Sequence, residues 1–321
     1  MARRYVLRRV AQVVPAVLAI LVVTFAVIHL APGDPVTAVA GDSGDQAYFT
    51  FMREKFGLDR PAPAQFATYA ANVLTGDLGV SFAQGRRVSE LIAQRMGATL
   101  LLMGTALVAS SLAGVALGVL AARRPLGLFD LGVSTAALVG YALPVFWLAQ
   151  LALLSVAFKL GWFPVQGMTD ARAGYTGWAA VGDVARHLVL PAFVLAVSEV
   201  ALVARVARTG LIQERAQGYV RTATAKGLSA GQALTRHALP NALLPVVTVI
   251  GGRVGGLFSG AVLVETVFGW PGLGRLLLVA AEQRDHPVLL GMVLLVAFSV
   301  VLANLVTDLV YGWIDPRIRY R

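Results

Sequence analysis

Side chains that could carry out chemistry are few in this sequence of 321 residues. There is no cysteine, which excludes disulfides, thiolate nucleophiles and cysteine metal sites. The three lysines are Lys55, Lys159 and Lys226, and none follows a glycine, so the Gly-Lys step of a Walker A phosphate loop is absent. The four histidines are scattered and form no His-Glu-x-x-His pair. The sequence therefore predicts no catalytic residue, no metal site and no cofactor in this chain, and any ATP hydrolysis must come from another chain.

Four ionisable residues lie within or at the ends of long apolar runs, namely Glu199, Arg253, Glu265 and Asp308. An unpaired charge at the centre of a bilayer costs about 2.5–3.5 kcal/mol or more, so such residues face a bundle interior or a wet cavity. One interpretation is that they line the path of a polar substrate. The other is structural: Arg253 pairs with an acid on another helix, while Glu265 and Asp308 reach towards the membrane surface. The sequence leaves both open.

The elements that carry these residues are apolar helices. Hydrophobic residues make up 57% of the chain and charged residues 14%, with a mean hydropathy of +0.73, whereas a soluble domain carries about 25% charged residues. A span needs about 20 apolar residues. The third run is long enough to tilt or to include an interfacial turn, and the first is too long for a cleaved signal peptide. Six runs qualify as spans of an all-α membrane protein: residues 10–30, 99–121, 131–158, 188–208, 243–267 and 288–312.

Basic residues are concentrated in alternate connecting segments. Six spans put both termini on one side, and the segments of that side hold 15 Lys and Arg against 3 acids, while those of the other side hold 11 of each sign. An excess of Lys and Arg marks the cytoplasmic side. The termini, residues 1–9 and 313–321, and the polar interval 211–245 are therefore predicted to be cytoplasmic, and segment 31–98 to lie outside. This placement also accounts for the net charge of +10 without a nucleic-acid partner.

The polar interval 211–245 predicts two short helices joined by a bend. In the first helix, Gly227 supplies the C-terminal cap because glycine enters the left-handed region without a Cβ penalty. Ser229 and Gln232 are spaced as a capping box for the second helix. Leu239 and Pro240 are expected to close that helix, since proline cannot continue the hydrogen-bond ladder. The apolar face of the first helix is predicted to consist of Ile212, Ala216, Tyr219, Val220 and Ala223.

This interval resembles the EAA motif of ATP-binding-cassette importer permeases, which reads Glu-Ala-Ala, three residues, Gly, nine residues, then Ile-x-Leu-Pro. Here Arg221-Thr222-Ala223, Gly227 and His237-Ala238-Leu239-Pro240 stand at the same spacing, although the Glu, the first Ala and the Ile are replaced. Arg-Thr-Ala followed by Lys-Gly-Leu is similar to the peptide and nickel subfamily. In that family the loop docks into a groove of the ATPase subunit. The resemblance thus implies these ATPase-coupling residues: Tyr219, Arg221, Thr222, Ala223, Lys226, Gly227, His237, Leu239 and Pro240.

Glycines at four-residue spacing mark close helix packing in two spans. Gly114 and Gly118 form one small-xxx-small pair, and Gly252, Gly256 and Gly260 form a doubled one. Packing within the bundle is one interpretation of the second set. The alternative is a helix that lines the central pathway against a second subunit.

Segment 31–98 contains several Gly, Pro and Asp turns, among them residues 31–35, 56–61 and 76–81. Between them, an amphipathic interfacial helix is predicted on Phe66, Tyr69, Ala70 and Val73. The order of these elements resembles the outer segment of peptide-importer permeases. Residues 265–275 and 315–321 also look like stretches of those permeases. The resemblance therefore covers nearly the whole chain. It leaves open whether the outer segment stabilises the bundle or contacts a binding protein.

Membership of this family implies a type I importer permease bundle, with a five-helix core over residues 99–312, in the cell membrane of a prokaryote. The implied partners are a second homologous permease, two ATPase subunits that bind ATP and Mg²⁺, an extracytoplasmic solute-binding protein and the lipid itself. Short peptides are the expected substrate, and nickel or another small solute is the alternative within the family. A secondary transporter driven by an ion gradient is a further alternative, but residues 1–160 and 161–321 show no internal repeat. An intramembrane enzyme is a less expected alternative, since no His-Glu-x-x-His metal motif is present.

Overall fold

The computed structural model of the chain describes residues 3–30, 45–56 and 60–314. These residues are helical throughout, apart from connecting turns and one isolated bridge between Val80 and Arg87. The helices are α1 (Arg3–Leu30), α2 (Gln46–Phe56), α3 (Ala62–Leu74), α4 (Val88–Arg123), α5 (Leu128–Ala142), α6 (Val145–Ala152), α7 (Gly177–Arg215), α8 (Gly218–Ala225), α9 (Ala230–Ala233), α10 (Leu239–Gly252), α11 (Val254–Val267), α12 (Leu273–Glu282) and α13 (His286–Ile314).

Apolar helices of membrane length are present as predicted, although two of the six predicted runs are interrupted. Five of the described helices are long and apolar enough to cross a membrane, and α5 with the α6 region completes a sixth that bends by 101°. Pro144 causes the bend: its ring keeps the preceding Leu143 out of the helical region, at ψ 127°. Beyond the bend, α6 continues into the π-helical turn Leu153–Lys159. The turn that the length of the third run allowed for is this bend.

The fifth predicted span, residues 243–267, is not one helix but two. Helices α10 and α11 meet at Arg253, after the pair Gly251-Gly252. Two consecutive glycines weaken a helix because their backbone loses the most entropy on ordering. The chain therefore breaks its ladder at Arg253, near the middle of the span, where the sequence had predicted an uninterrupted helix.

The predicted helix end at Leu239-Pro240 is also wrong. From α9 the chain passes through a π-helical turn, Leu234–Ala238, directly into α10. Pro240 then lies in the first turn of α10, directly after the π-helical turn. The wider π turn accommodates the proline within a continuous helix.

Helices α4 and α7 form the central packed pair of the bundle, with α5 and α10 also against α7 and with α1 against α13. Gly114 and Gly118 make the α4–α7 contact possible. A Cβ on Gly114 would lie 2.6 Å from the Cβ of Val203, and one on Gly118 would lie 2.7 Å from the Cβ of Ala207. Real side chains do not tolerate such distances, so only glycine lets the two backbones approach this closely.

The second glycine set packs only in part. A Cβ on Gly260 would lie 2.8 Å from Leu195 Cδ1, whereas Gly252 has no atom within 4 Å of that position and Gly256 meets only the guanidinium of Arg253. The tight approach is made instead by Gly251, whose Cβ would lie 1.9 Å from Thr307 Oγ1. The helix break at Arg253 shifts the packing register, so the contact predicted for Gly252 is not formed.

Candidate functional site

The polar interval between α7 and α10 folds as two short helical segments, α8 and α9 with its π turn, which together we call the helix-pair loop (residues 216–238). Helix α7 continues to Arg215, so Ile212 belongs to that long helix and not to α8, and the single apolar face predicted for Ile212 to Ala223 is interrupted at Ala216. Within α8 the buried residues are Val220 and Ala223. The remaining predicted coupling residues are partly or fully exposed: Tyr219, Arg221, Thr222, Lys226, Gly227, His237, Leu239 and Pro240.

Capping interactions fix the bend of the helix-pair loop. Gly227 has φ +96°, and its N–H donates to the Thr224 carbonyl at 3.0 Å. The N–H of Leu228 donates to the Ala223 carbonyl at 3.3 Å, which completes a Schellman motif. The capping box predicted for the next helix is present: Ser229 Oγ accepts from the Gln232 N–H at 3.3 Å, and Gln232 Oε1 accepts from the Ser229 N–H at 3.2 Å.

Residues 227–231 read Gly-Leu-Ser-Ala-Gly, which also fits the Gly-x-Ser-x-Gly spelling of a hydrolase nucleophile elbow. That motif requires a strand leading into a helix so that the serine projects from a strained turn. Here helices lie on both sides, and Ser229 is engaged as a helix cap. The serine therefore has a structural role in the bend.

A side-chain cluster centred on Tyr219 ties the helix-pair loop to two long helices. Its hydroxyl donates to the carboxylate of Glu214 at the end of α7 and accepts from Asn241 Nδ2 of α10 at 2.8 Å. Partial burial, together with the bond to Glu214, raises the pKa of the Tyr219 phenol above its ordinary value of 10.0. The hydroxyl thus stays a donor at neutral pH. The contacts of Glu214 and Asn241 with Tyr219 were not predicted from the sequence. The one available signal for them was the position of Glu214, five residues before Tyr219.

Apolar contacts lie beneath this polar cluster and join the loop to the ends of α4, α7 and α10. The loop contributes Val220, Ala233 and Leu234 to this contact, which they share with Ala122 of α4 and Leu211 of α7. Together with the Tyr219 bonds and the caps, these contacts hold the loop as a fixed extension of three spans. A push on its exposed face is therefore transmitted to those helices.

A second anchor at the same end of the bundle joins α5 to α7. Asp130, at the start of α5, is buried and receives Nη2 of Arg208 at 2.6 Å, a further bond from the Arg208 Nε, and the N–H of Leu126 at 2.7 Å. A bidentate arginine–carboxylate pair fixes orientation as well as distance. Sequence reasoning counted both residues only as loop charges and missed their pairing.

The four ionisable residues of the spans are not brought together into one site. Arg253 pairs with Glu199 of α7, with Nε at 3.0 and 3.1 Å and Nη2 at 2.7 Å from the carboxylate oxygens. Asp308 of α13 lies 3.2 Å from Nη1 of Arg9 in α1, and both side chains are about one-third exposed. The interhelical pairing considered for Arg253 is therefore present. Asp308 likewise has a partner on another helix.

Glu265 is fully buried and holds the turn that follows α11. One carboxylate oxygen accepts from Thr99 Oγ1 at 2.6 Å, and the other accepts from the N–H groups of Gly274 at 2.7 Å and Arg275 at 3.2 Å. The carboxylate thus occupies the N-terminus of α12, where the helix dipole and unpaired N–H groups favour a negative charge. Trp270 Nε1 adds a bond to the Ala98 carbonyl at 2.9 Å. With 0% of its surface exposed, Glu265 does not line an open path in this structure.

At the opposite end of the bundle, the predicted amphipathic helix of the outer segment is α3. Its Phe66 and Tyr69 lie against Phe25 of α1, with ring centroids 5.4 and 5.8 Å apart. Buried Asp285, just before α13, accepts from Ser81 Oγ at 2.5 Å and so fixes the turn before α4. The predicted turn at 31–35, residues 57–59 of the predicted turn at 56–61, and the C-terminal motif 315–321 lie outside the described residues.

None of these clusters has the composition of a metal centre. Within the part of the chain that the structure describes, no three His, Asp or Glu residues are grouped so that they could hold an ion. The arrangement suits mechanical transmission and charge pairing.

Comparisons with known proteins agree over the full chain. Residues 114–320 match the family described as binding-protein-dependent transport system inner membrane component, and residues 1–103 match its N-terminal counterpart. The chain is 38% identical over 317 residues to the oligopeptide transport system permease protein AppB of Bacillus subtilis, covering 98% of this chain and 99% of that one. It is 39% identical over 337 residues to the dipeptide transport system permease protein DppB of Escherichia coli K12, covering 99% of each.

A solved structure shares the fold at much lower identity. A chain of the methionine ABC transporter MetNI, in an inward-facing conformation, superposes with a TM-score of 0.55 at 18% identity, covering 70% of this chain and 96% of that one. At this identity the likeness concerns the fold. The helices described above therefore share the fold of a chain of this ABC transporter.

Proposed function

Because the chain belongs to the family of binding-protein-dependent transport system inner membrane components, we propose that it is the permease subunit of an ATP-driven importer of short peptides. The curated relatives named above are called oligopeptide and dipeptide permeases and align over almost their whole length. A third relative, 38% identical over 332 residues, is named a di/tripeptide permease in Pseudomonas aeruginosa. These names support peptides over nickel or another small solute as the substrate.

The observation that carries this proposal is the helix-pair loop. It exposes Arg221, Thr222 and Lys226 on one outer surface, while Tyr219 and the buried Val220 fix it to the spans. A loop that is exposed yet rigidly joined to three helices suits the docking of a partner that must move the bundle. We assign that partner as an ATPase subunit, which binds ATP and Mg²⁺. When ATP closes a pair of ATPase subunits, the docked loops shift the permease population between inward- and outward-facing states.

The rest of the assembly follows from the same proposal. One helix-pair loop serves one ATPase subunit, so two ATPase subunits require a second permease, which we take to be homologous. The positive-inside bias assigns both termini and the helix-pair loop to the cytoplasm of a prokaryotic cell, which leaves the α3 end for an extracytoplasmic solute-binding protein. The basic α4–α5 connection lies at the loop end of the bundle, where Nη1 of Arg215 donates to the Arg123 carbonyl at 3.5 Å, and this placement agrees with the same orientation.

The test is uptake of radiolabelled trialanine into proteoliposomes that contain the purified assembly, with the binding protein outside and ATP and Mg²⁺ inside. The proposal predicts uptake that depends on internal ATP and is unaffected by collapsing the proton gradient. Vesicles loaded with a non-hydrolysable ATP analogue serve as the matched control. Uptake that persists without ATP and stops when the gradient is collapsed would instead establish an ion-driven transporter. ATP-driven uptake of Ni²⁺ but not of trialanine would keep the mechanism and replace the substrate.

A further inference from the structure

Arg253 lies deep within the membrane-spanning part of the bundle, at the break between α10 and α11. Fourteen residues separate it from Leu239 at the start of α10, and fourteen separate it from Val267 at the end of α11. At ~1.5 Å per residue this is about 21 Å of helix in either direction. The hydrocarbon layer extends only about 15 Å from its centre, so Arg253 lies near the middle of a span of this length.

The guanidinium of Arg253 uses only one of its two edges within the chain. Nε and Nη2 donate to the carboxylate of Glu199, which is 5% exposed and lies behind the arginine. Among the described residues no acceptor is bound to Nη1, and 33% of the side-chain surface of Arg253 is exposed. A free edge of this kind presents two parallel N–H donors, which is the geometry that binds a carboxylate bidentately.

A second arginine lies further along α7, the helix that carries Glu199. Arg205, six residues after Glu199 on α7, is exposed, and no carboxylate of the described chain lies within salt-bridge distance of it. Its Cζ lies 6.0 Å from the ring centroid of Tyr141, a half-exposed side chain. Gly252 and Gly256, both exposed, leave the approach to the guanidinium of Arg253 open.

We propose that Arg253, oriented by Glu199, recognises a carboxylate of the transported substrate, which for a peptide is its C-terminal carboxylate. A permanent second acid is the weaker candidate, because Glu199 already neutralises Arg253 and a further fixed negative charge at this depth would cost more than it stabilises. A passing carboxylate carries that cost only while it is bound. The inference deepens the proposed transport function and rests on it.

The test uses the absence of cysteine from the chain. A single Gly256→Cys substitution places a thiol next to the guanidinium, because a Cβ there would lie 3.4 Å from Arg253 Cζ. The assembled importer, without its binding protein, is treated with an anionic or a cationic methanethiosulfonate, and labelling of this chain is followed by mass spectrometry. The anionic reagent is expected to react faster, and the ratio of the two rates to fall about tenfold when Arg253→Gln is added.

Trialanine and trialanine amide then distinguish charge from recognition. Trialanine is expected to protect the thiol from labelling, whereas its amide, which lacks the carboxylate, is not. Arg253→Lys keeps the positive charge but lacks the two parallel N–H donors of the guanidinium. It should therefore retain the ratio of anionic to cationic labelling rates and lose most of the protection by trialanine. This variant also serves if Arg253→Gln does not assemble.

Three results would overturn the inference: no labelling by either reagent, equal rates for the two reagents, or equal protection by peptide and amide. Labelling requires no ATP hydrolysis, so these results are independent of whether the ATPase assignment is correct. A chain that lacks an ATPase partner would overturn the proposed function and leave the labelling result standing.

Discussion

The bend of the helix-pair loop depends on the backbone conformation of one residue, Gly227. Its φ of +96° lies in the region that side chains with a Cβ disfavour, yet a Cβ there would meet no atom within 4 Å. Any effect of Gly227→Val therefore comes from backbone strain and not from a clash. Such strain costs about 1–3 kcal/mol, and a value of about 2 kcal/mol disfavours the bent loop roughly thirtyfold. Gly227→Asn should lose less, because asparagine tolerates this region better than a β-branched residue.

Gly231 provides the matched control for this substitution. It lies four residues further along the same loop, also has no atom within 4 Å of a Cβ, and has no positive φ. ATP hydrolysed per trialanine imported is the quantity to measure, together with the unfolding temperature of the permease in detergent. We expect Gly227→Val to raise this ratio severalfold with little change in unfolding temperature, and Gly231→Val to leave both unchanged. Wild-type coupling in Gly227→Val would refute the assignment of the bend.

Three further substitutions test the packing and anchoring of the bundle. Gly118→Ala should lower the free energy of unfolding by about 1–3 kcal/mol through overpacking, because its Cβ would lie 2.8 Å from the Ala204 carbonyl oxygen. Gly252→Ala is the control and should not lower it, because the space around Gly252 is open. Thermal unfolding in detergent compares the two variants. Glu265→Ala should lower the free energy of unfolding by roughly 1–3 kcal/mol for each buried donor left unpaired, and Glu265→Gln should lower it less in the same assay. Tyr219→Phe should leave unfolding nearly unchanged but weaken coupling of ATP hydrolysis to uptake, and unchanged coupling would argue against the Tyr219 cluster as a link.

Local signals in the sequence were sufficient for the helices and for the bend. Apolar runs of membrane length exist because every backbone group in lipid must be satisfied within the helix. The capping box at Ser229 and the left-handed Gly227 are likewise encoded within a few residues, and both are present.

Interactions between distant parts of the chain could not be predicted in the same way. The cap that Glu265 supplies to α12 depends on a turn that brings residues 265 and 274 together and on Thr99 from another span. The Asp130–Arg208 pair joins residues 78 positions apart. The break at Arg253 had a local signal in Gly251-Gly252, but continuous hydrophobicity on both sides of it favoured a single helix.

Purification of the tagged chain from its native membrane in mild detergent, with the mass and composition of the complex determined by native mass spectrometry, tests the central claim most directly. The account predicts one copy of this chain with one homologous six-span permease and two ATPase subunits that carry Walker A loops. Charge reversal at Lys226, exposed on the helix-pair loop, should release the ATPase subunits and leave the permease pair intact. A chain that purifies without any ATPase, under conditions in which a known importer keeps its own, would contradict the account.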